Sequence, residues 1–140
     1  MIADHYVAAR DENKAIEYSV KAAKAAEENN AEWEAFEHYQ HAVPFLEKDE
    51  TYPNQAALLL EIYEKAAQFS SAAWIDASTC LRWLQKAIDA YTEKSDMEHV
   101  FGLSLSYLVT SSISGNYAAA RQKIPEIVEM CNVREGTLLW

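Results

Sequence analysis

Glu34, His38 and His41 are the residues whose types and spacing come closest to a chemical site. They stand at positions i, i+4 and i+7, so an α-helix would present one carboxylate and two imidazoles, all possible Zn²⁺ ligands, on one face. The His-Glu-x-x-His motif of zinc proteases and the Glu-x-x-His pairs of di-iron bundles are both absent. Histidines on a helix surface are usually solvated. These three residues are therefore weak candidates for a metal site, and we expect no cofactor.

Hydroxyl side chains crowd a later segment, but no catalytic template accompanies them. They belong to Ser104, Ser106, Thr110, Ser111, Ser112 and Ser114. The chain has no phosphate-binding glycine loop, no Gly-x-Ser-x-Gly elbow and no Cys-His signature. We expect these hydroxyls to bond to carbonyls one helical turn earlier and so to soften or bend the helix. The sequence does not predict an enzyme.

Composition favours a small acidic domain and argues against two classes of partner. The 140 residues are half apolar and carry a net charge of −10, which opposes binding to nucleic acid or to anionic lipid. The acidity indicates either a solvated exterior or a dedicated acidic binding surface. The chain has no apolar stretch long enough to predict a membrane span, and its two cysteines, Cys80 and Cys131, have no framework spacing. We expect reduced thiols and a cytoplasmic protein.

Three glycines and three prolines in 140 residues leave few turns, so the pattern predicts an all-α fold of about seven helices in a single domain over residues 1–140. Capping boxes at Asn29 and Ser95 should start two of the helices, and Pro44 should bend or end one of them near His41. The first four predicted helices cover residues 2–9, 12–28, 31 to about 41 and a stretch after Pro53. The fifth follows Ser71 with an apolar stripe from Ala77 to Tyr91, the sixth runs from the Ser95 cap until Gly115, and the seventh runs from Tyr117 to Gly136.

Apolar spacing predicts which helix and which faces are buried. The helix after Pro53 reads apolar on most sides and should be the most buried. The helix that follows Ser95 should pack through Phe101, Leu105, Leu108 and Ile113. Core positions are expected for Trp33, Trp74 and Trp83. Trp140 should either dock on the last helix pair or mark where a longer array was cut, and the apolar C-terminus is a candidate for self-association.

An eight-residue pattern that occurs twice, the octet, predicts how the helices should pack. Residues 15–22 and 35–42 both begin and end with alanine, with a bulky apolar residue second and glutamate third. Alanines seven positions apart share a helical face that a neighbouring helix can approach closely. Because the copies begin 20 residues apart, they mark two consecutive helices that share one packing rule.

The segments at 5–22 and 115–120 resemble tetratricopeptide repeats. Tyr6, a break at Asp11, then Ala15-Ile16-Glu17-Tyr18 and Ala22 look like the second half of such a repeat, and Gly115-Asn116-Tyr117-Ala118-Ala119-Ala120 looks like its turn and second helix. The segment from His5 to Ala42 resembles the long-repeat arrays of signal-transduction ATPases and some adenylyl cyclases. Its alanine and tyrosine patterns are also similar to those in the helical hairpins of vesicle-fusion adaptors. The resemblance implies a right-handed superhelix of stacked antiparallel hairpins and a chain that is part of a longer array.

In such an array the first helix of each pair lines a concave groove. The matching positions here are Asp4, Val7, Ala8, Leu105, Val109 and Ser112. They cannot form the lysine and asparagine clamp with which some family members grip a peptide's terminal carboxylate. With Trp140, they are our candidate partner-binding residues.

The predicted function is a non-catalytic scaffold that binds a protein partner, a basic or amphipathic helical segment, in an acidic concave groove. The alternative is a ligand-sensing module of a signalling ATPase or transcription regulator, in which the groove binds a small molecule.

Overall fold

The computed structural model describes residues 12–48, 52–69 and 74–137, and in these ranges the chain forms six α-helices and no β-strand. The predicted all-α class is confirmed. The helix predicted over residues 2–9 lies outside the described ranges. The six helices are α1 (Glu12–Glu28), α2 (Glu32–Lys48), α3 (Gln55–Lys65), α4 (Ala77–Glu93), α5 (Met97–Ile113) and α6 (Tyr117–Thr137).

Five of these helices follow a common register. α2 begins 20 residues after α1, and α5 and α6 begin at the same interval after α4 and α5. The fourth residue of each of the five helices is buried: Ala15, Ala35, Cys80, Val100 and Ala120. The doubled octet therefore lies at equivalent positions of α1 and α2, and its interval of one helix plus its turn recurs in α4, α5 and α6.

The same three-residue turn joins α1 to α2, α4 to α5 and α5 to α6. Its middle residue is left-handed in each case, at Asn30 (φ 58°), Ser95 (φ 58°) and Gly115 (φ 80°). The next amide donates to a carbonyl five residues earlier, from Ala31 to Ala26, from Asp96 to Tyr91 and from Asn116 to Ser111. This bond, typical of a Schellman cap, satisfies carbonyls that a helix end otherwise leaves unpaired. Each turn thus ends one helix cleanly and reverses the chain into a helical hairpin.

The chain divides into two compact units, Met1–Ile62 and Tyr63–Trp140, and the division falls inside α3. In the first unit α1 packs on α2, with Ile16, Phe36 and Leu46 fully buried. Each such side chain contributes roughly 1.5–3 kcal/mol by leaving water. The Tyr39 hydroxyl donates a 2.6 Å hydrogen bond to Oε1 of Glu27, and burial together with this contact holds the pKa of Tyr39 above its ordinary value.

Pro44 does not end its helix, so of the two alternatives predicted near His41, a bend or an end, the end is wrong. α2 continues to Lys48, because Val43 and Leu46 on either side of the proline are buried while Pro44 itself is exposed. Burial of the flanking side chains offsets the missing amide donor.

The helix after Pro53, α3, is not the most buried one, contrary to the sequence prediction. It spans only Gln55–Lys65, and α2 and α4 each bury more of their side chains.

In the second unit α4 packs on α5, and α5 packs on α6. Leu81, Leu84 and Ile88 of the stripe predicted for α4 are buried, whereas its end residues Ala77 and Tyr91 are half-buried. Trp83 is also buried and its ring lies 6.3 Å from that of Tyr63. Among the described residues of this unit, α4 therefore supplies the largest set of buried side chains.

Neither of the capping boxes predicted at Asn29 and Ser95 starts its helix. Asn29 belongs to the end of α1, where its side-chain amide donates to the carbonyl of Ala25 at 3.0 Å. α5 is capped by Asp96, whose carboxylate accepts from the amide of His99, while Ser95 takes the left-handed turn position. Gly136, predicted as a stop signal, lies within α6.

Candidate protein-interaction surface

Three of the seven residues predicted to bind a partner lie together on α5. Leu105, Val109 and Ser112 stand at i, i+4 and i+7, and all three are exposed, Leu105 at 39% and Val109 at 55%. The other four predicted residues, Asp4, Val7, Ala8 and Trp140, lie outside the described ranges.

The buried side of α5 differs from the stripe predicted for it. Val100, Leu103 and Ser104 in the first half and Thr110 and Ser111 in the second are buried. The sequence prediction chose Phe101, Leu105, Leu108 and Ile113 because α5 carries apolar residues on nearly all sides. A helix that is apolar all round gives no preferred face, so its neighbours α4 and α6 decide which side is covered.

The opposite side of α5 forms what we call the outward face. Its members share one side of the helix and are exposed or half-buried: Gly102, Leu105, Ser106, Val109, Ser112 and Ile113. A Cβ built on Gly102 would meet no atom within 4 Å, so open space lies above this part of the face. The face is therefore accessible along three turns of the helix.

Hydroxyl groups on the outward face are satisfied by the helix itself. Ser106 donates to the carbonyl of Gly102 at 3.3 Å, and Ser112 donates to that of Leu108 at 2.8 Å. The predicted bonding of hydroxyls to the preceding turn is confirmed for Ser106, Ser111, Ser112 and Ser114, but not for Ser104. A hydroxyl that already has an acceptor loses less on leaving water than a free one. The face consequently behaves as more apolar than its composition suggests.

The outward face is also uncharged, which corrects the expectation of an acidic surface at these residues. Between His99 and Arg121 the sequence contains no acidic or basic residue. The charged residue at the N-terminal end of this side of α5 is Glu98. The absence of charge is visible in the sequence alone and identifies α5 as an uncharged helix, but it does not distinguish the exposed side from the buried one.

Lys123 positions α6 against the rest of the second unit. Its side chain is only 6% exposed, and its Nζ donates to Oε1 of Gln85 on α4 at 2.8 Å. The same ammonium lies 2.9 Å from Oε2 of Glu126 and 4.5 Å from the ring centroid of Tyr107 on α5. One buried cation thus contacts three helices.

α6 also carries three exposed apolar residues, Tyr117, Ile124 and Val128.

A polar cluster surrounds the turn between α4 and α5. His99 stacks on Tyr91 with ring centroids 4.4 Å apart, and its Nδ1 lies 2.7 Å from Oδ2 of Asp96. The hydrogen bond to Asp96 raises the pKa of His99, and the reciprocal contact lowers the pKa of Asp96. Tyr91 donates to Oε1 of Glu64 at 2.9 Å; burial and this bond raise the pKa of Tyr91 to about 12. The cluster fixes the turn that precedes α5.

The metal candidates Glu34, His38 and His41 lie on α2, with Glu34 and His41 exposed and His38 half-buried. In the described part of the chain, no three His, Cys, Asp or Glu side chains are grouped so that they could hold a metal ion.

An open cleft of about 420 Å³ runs along α1 in the first unit. Lys21, Lys24 and Glu28 line it together with Tyr52, whose pKa is raised by burial and by Glu17. Its charged lining residues on α1 are all exposed. Ligand sites are usually enclosed and use a few convergent polar groups. The cleft therefore offers no particular support for a small-molecule sensor.

The tryptophans divide between core and surface. Trp83 is in the core as predicted, and Trp33 is half-buried with its ring 5.6 Å from that of Phe36. Trp74 was expected in the core but is 73% exposed beside Ile75, itself 62% exposed. Its position just before the Asp76 cap of α4 leaves it outside the helix-packing stripe.

No helix within the described ranges is both long and apolar enough to span a lipid bilayer. Comparisons of the chain with protein-family models, with curated proteins and with solved structures found no match.

Proposed function

We propose that this chain is a non-catalytic protein-interaction module in which the outward face of α5 receives an α-helix from a protein partner. The observation that carries the proposal is the exposure of Leu105, Val109 and Ile113 on one uncharged side of a regular helix. Exposed apolar residues that share a face are typical of interaction sites, whereas isolated ones are ordinary.

The chemistry of the face favours a helical partner with an apolar stripe. Gly102 and Ser106 let a second backbone come close, while Leu105 and Val109 offer side chains to bury. Covering the exposed part of each apolar side chain would contribute about 1 kcal/mol. A basic partner gains nothing here, because the face carries no acidic residue between Val100 and Ile113. The proposed partner is therefore amphipathic and not selected by charge at this face.

We also propose that the helices are units of a tetratricopeptide-like array. The common 20-residue register and the repeated left-handed turn support a repeat architecture. From Ala77 to Tyr117 a helix pair takes 40 residues, whereas the usual tetratricopeptide period is 34. The longer period favours the long-repeat arrays to which the N-terminal segment is similar. Cocrystallisation with a bound helix would test the array and its handedness directly.

A displayed library of helical peptides tests the proposed function. We expect enrichment of amphipathic peptides whose binding to the full chain is weakened at least about tenfold by Val109→Glu. The matched control is Val128→Glu on α6, since Val128 and Val109 are exposed to similar extents, 50% and 55%. Selected peptides that lose binding to the Val128 variant but not to the Val109 variant would contradict the proposal. So would a library that yields no binder.

A further inference from the structure

Small and bulky residues are segregated along the middle of the outward face of α5, whereas Leu105 and Ser112 lie along one edge of the face. On the middle line, Gly102 and Ser106 occupy the N-terminal half, and Val109 and Ile113 occupy the C-terminal half. The midpoint of the face lies between Tyr107 and Leu108. Gly102 and Ile113 are equally far from this midpoint on opposite sides, and so are Ser106 and Val109.

We infer that the helix received by the outward face is α5 of a second copy of this chain, packed antiparallel about a two-fold axis at the midpoint. This inference rests on the proposed function and names its partner. An antiparallel pair brings Gly102 of one copy opposite Ile113 of the other, and Ser106 opposite Val109. Each small residue then accommodates a bulky one, which is the self-complementarity that an isologous interface requires. A parallel pair would instead place Ile113 against Ile113 and leave Gly102 facing Gly102.

Charge distribution favours the same arrangement. Two copies of a chain with net charge −10 repel each other wherever acidic surfaces meet. The outward face avoids this penalty because no charged residue lies between His99 and Arg121. In the antiparallel pair the two Glu98 residues lie at opposite ends, about 28 Å apart along the axis at 1.5 Å per residue. That separation exceeds the Debye length of about 8 Å at physiological ionic strength, whereas a parallel pair would place the two carboxylates side by side.

The length of α5 limits the strength of the dimer. A 17-residue helix is about 25 Å long, and one face of it buries less than the roughly 800 Å² per partner of a standard interface. The dimer is consequently weak and depends on protein concentration.

Sedimentation equilibrium of the full chain over about a hundredfold range of concentration tests the inference. We expect the average mass to rise above 15.9 kDa toward twice that value. Val109→Glu should weaken self-association at least about tenfold, and Ser112→Arg, a second exposed position on the face, should do the same. Val128→Glu is the matched control and should associate as the unsubstituted chain does. Circular dichroism establishes that each variant is folded.

Disulfide trapping tests the antiparallel register. With Cys80 and Cys131 replaced by serine, a Gly102→Cys chain mixed with an Ile113→Cys chain should form a mixed disulfide dimer. Efficient linking of the Gly102→Cys chain to itself would overturn the antiparallel arrangement.

Two outcomes separate this inference from the proposed function. A chain that stays monomeric at every concentration, yet binds selected helical peptides through Val109, would overturn the second copy as partner and leave the function intact. Self-association that survives Val109→Glu and Ser112→Arg but is lost in Trp140→Ala would place the contact at the C-terminus and overturn the inference.

Discussion

The ammonium nitrogen of Lys123 lies 2.8 Å from Oε1 of Gln85, so a buried cation on α6 is fixed to an amide on α4. The same nitrogen contacts Glu126 and the ring of Tyr107, which gives the second unit a polar connection across all three of its long helices.

Replacing Lys123 separates the contribution of its charge to stability from that of its aliphatic chain. Lys123→Ala should lower the free energy of unfolding by about 2–3 kcal/mol, because it leaves a cavity and removes the donor to Oε1 of Gln85. Lys123→Met keeps an unbranched side chain of similar length and should cost about 1 kcal/mol or less. Urea denaturation measures both values. Glu126→Gln is the control and should change stability by less than about 0.5 kcal/mol, since Glu126 is 61% exposed. Equal losses for Ala and Met would contradict this account.

Two buried serines of α5 form a natural comparison. Ser104 is 1% exposed and its Oγ has no hydrogen-bond partner among the described residues, whereas Ser111 Oγ donates to the carbonyls of Tyr107 and Leu108. Ser104→Ala should raise the free energy of unfolding by about 1 kcal/mol, because it removes an unsatisfied hydroxyl and improves helix propensity. Ser111→Ala should be nearly neutral. Thermal unfolding of the two variants checks the difference, and a loss of stability in Ser104→Ala would reject it.

The left-handed turn residues should respond in opposite directions. Ser95 has φ 58°, which costs a side-chain-bearing residue energy that glycine avoids, while Gly115 has φ 80°. Ser95→Gly should therefore stabilise the chain by about 0.5–1 kcal/mol, and Gly115→Ala should destabilise it by about 1 kcal/mol. Differential scanning calorimetry measures both changes. No clash complicates the second variant, because a Cβ on Gly115 would have open space around it.

The Asp96–His99 pair makes the α4–α5 turn sensitive to pH. The raised pKa of His99 means that its stabilising contribution is complete below the unfolded value of 6.5 and is lost as pH rises through the folded pKa. The lowered pKa of Asp96 means that its contribution is present above 3.8 and is lost as pH falls through the folded pKa. The pair should thus be strongest between these two limits.

Titration of the His99 ring protons by NMR checks this relationship. Asp96→Asn preserves an N-cap acceptor but removes the negative charge, so the midpoint of His99 should fall in the variant. An unchanged midpoint would show that Asp96 does not hold the imidazolium. Glu64 and Glu98 also raise the pKa of His99, and both remain in the variant, as does the stacked ring of Tyr91.

The two thiols should differ in reactivity. Cys80 is fully buried, and burial together with Asp76 raises its pKa to about 12, so little thiolate is present at neutral pH. Cys131 is half-buried on α6. A thiol reagent added to the folded chain should modify Cys131 first and Cys80 only when the chain opens. Mass spectrometry of the timed reaction identifies each site, and Cys131→Ser should abolish the early product. Early labelling of Cys80 would contradict the packing of α4.

Much of the helical layout was predictable because it depends on neighbours in the sequence. The 12–28 helix matches α1, and the spacing of Leu81, Leu84 and Ile88 gave the buried side of α4. Pro44 was misread because local propensity cannot register the burial of Val43 and Leu46 on either side of it. Ser95 was misread because its capping pattern competes with Asp96 one residue later, and only the turn geometry distinguishes them.

The outward face of α5 could be predicted from the sequence only in part. Leu105, Val109 and Ser112 were selected from the sequence, and so was the wrong packing stripe, since α5 is apolar on almost every side. Periodicity ranks the faces of a helix only when one of them is polar, and α5 has no such face. Its exposed side was decided by α4 and α6, which cover Val100, Leu103 and Ser111, and by Lys123, which holds α6 in place. The sequence by itself determined that this segment would be an uncharged helix, and the packing of its neighbours determined which residues remain available to a partner.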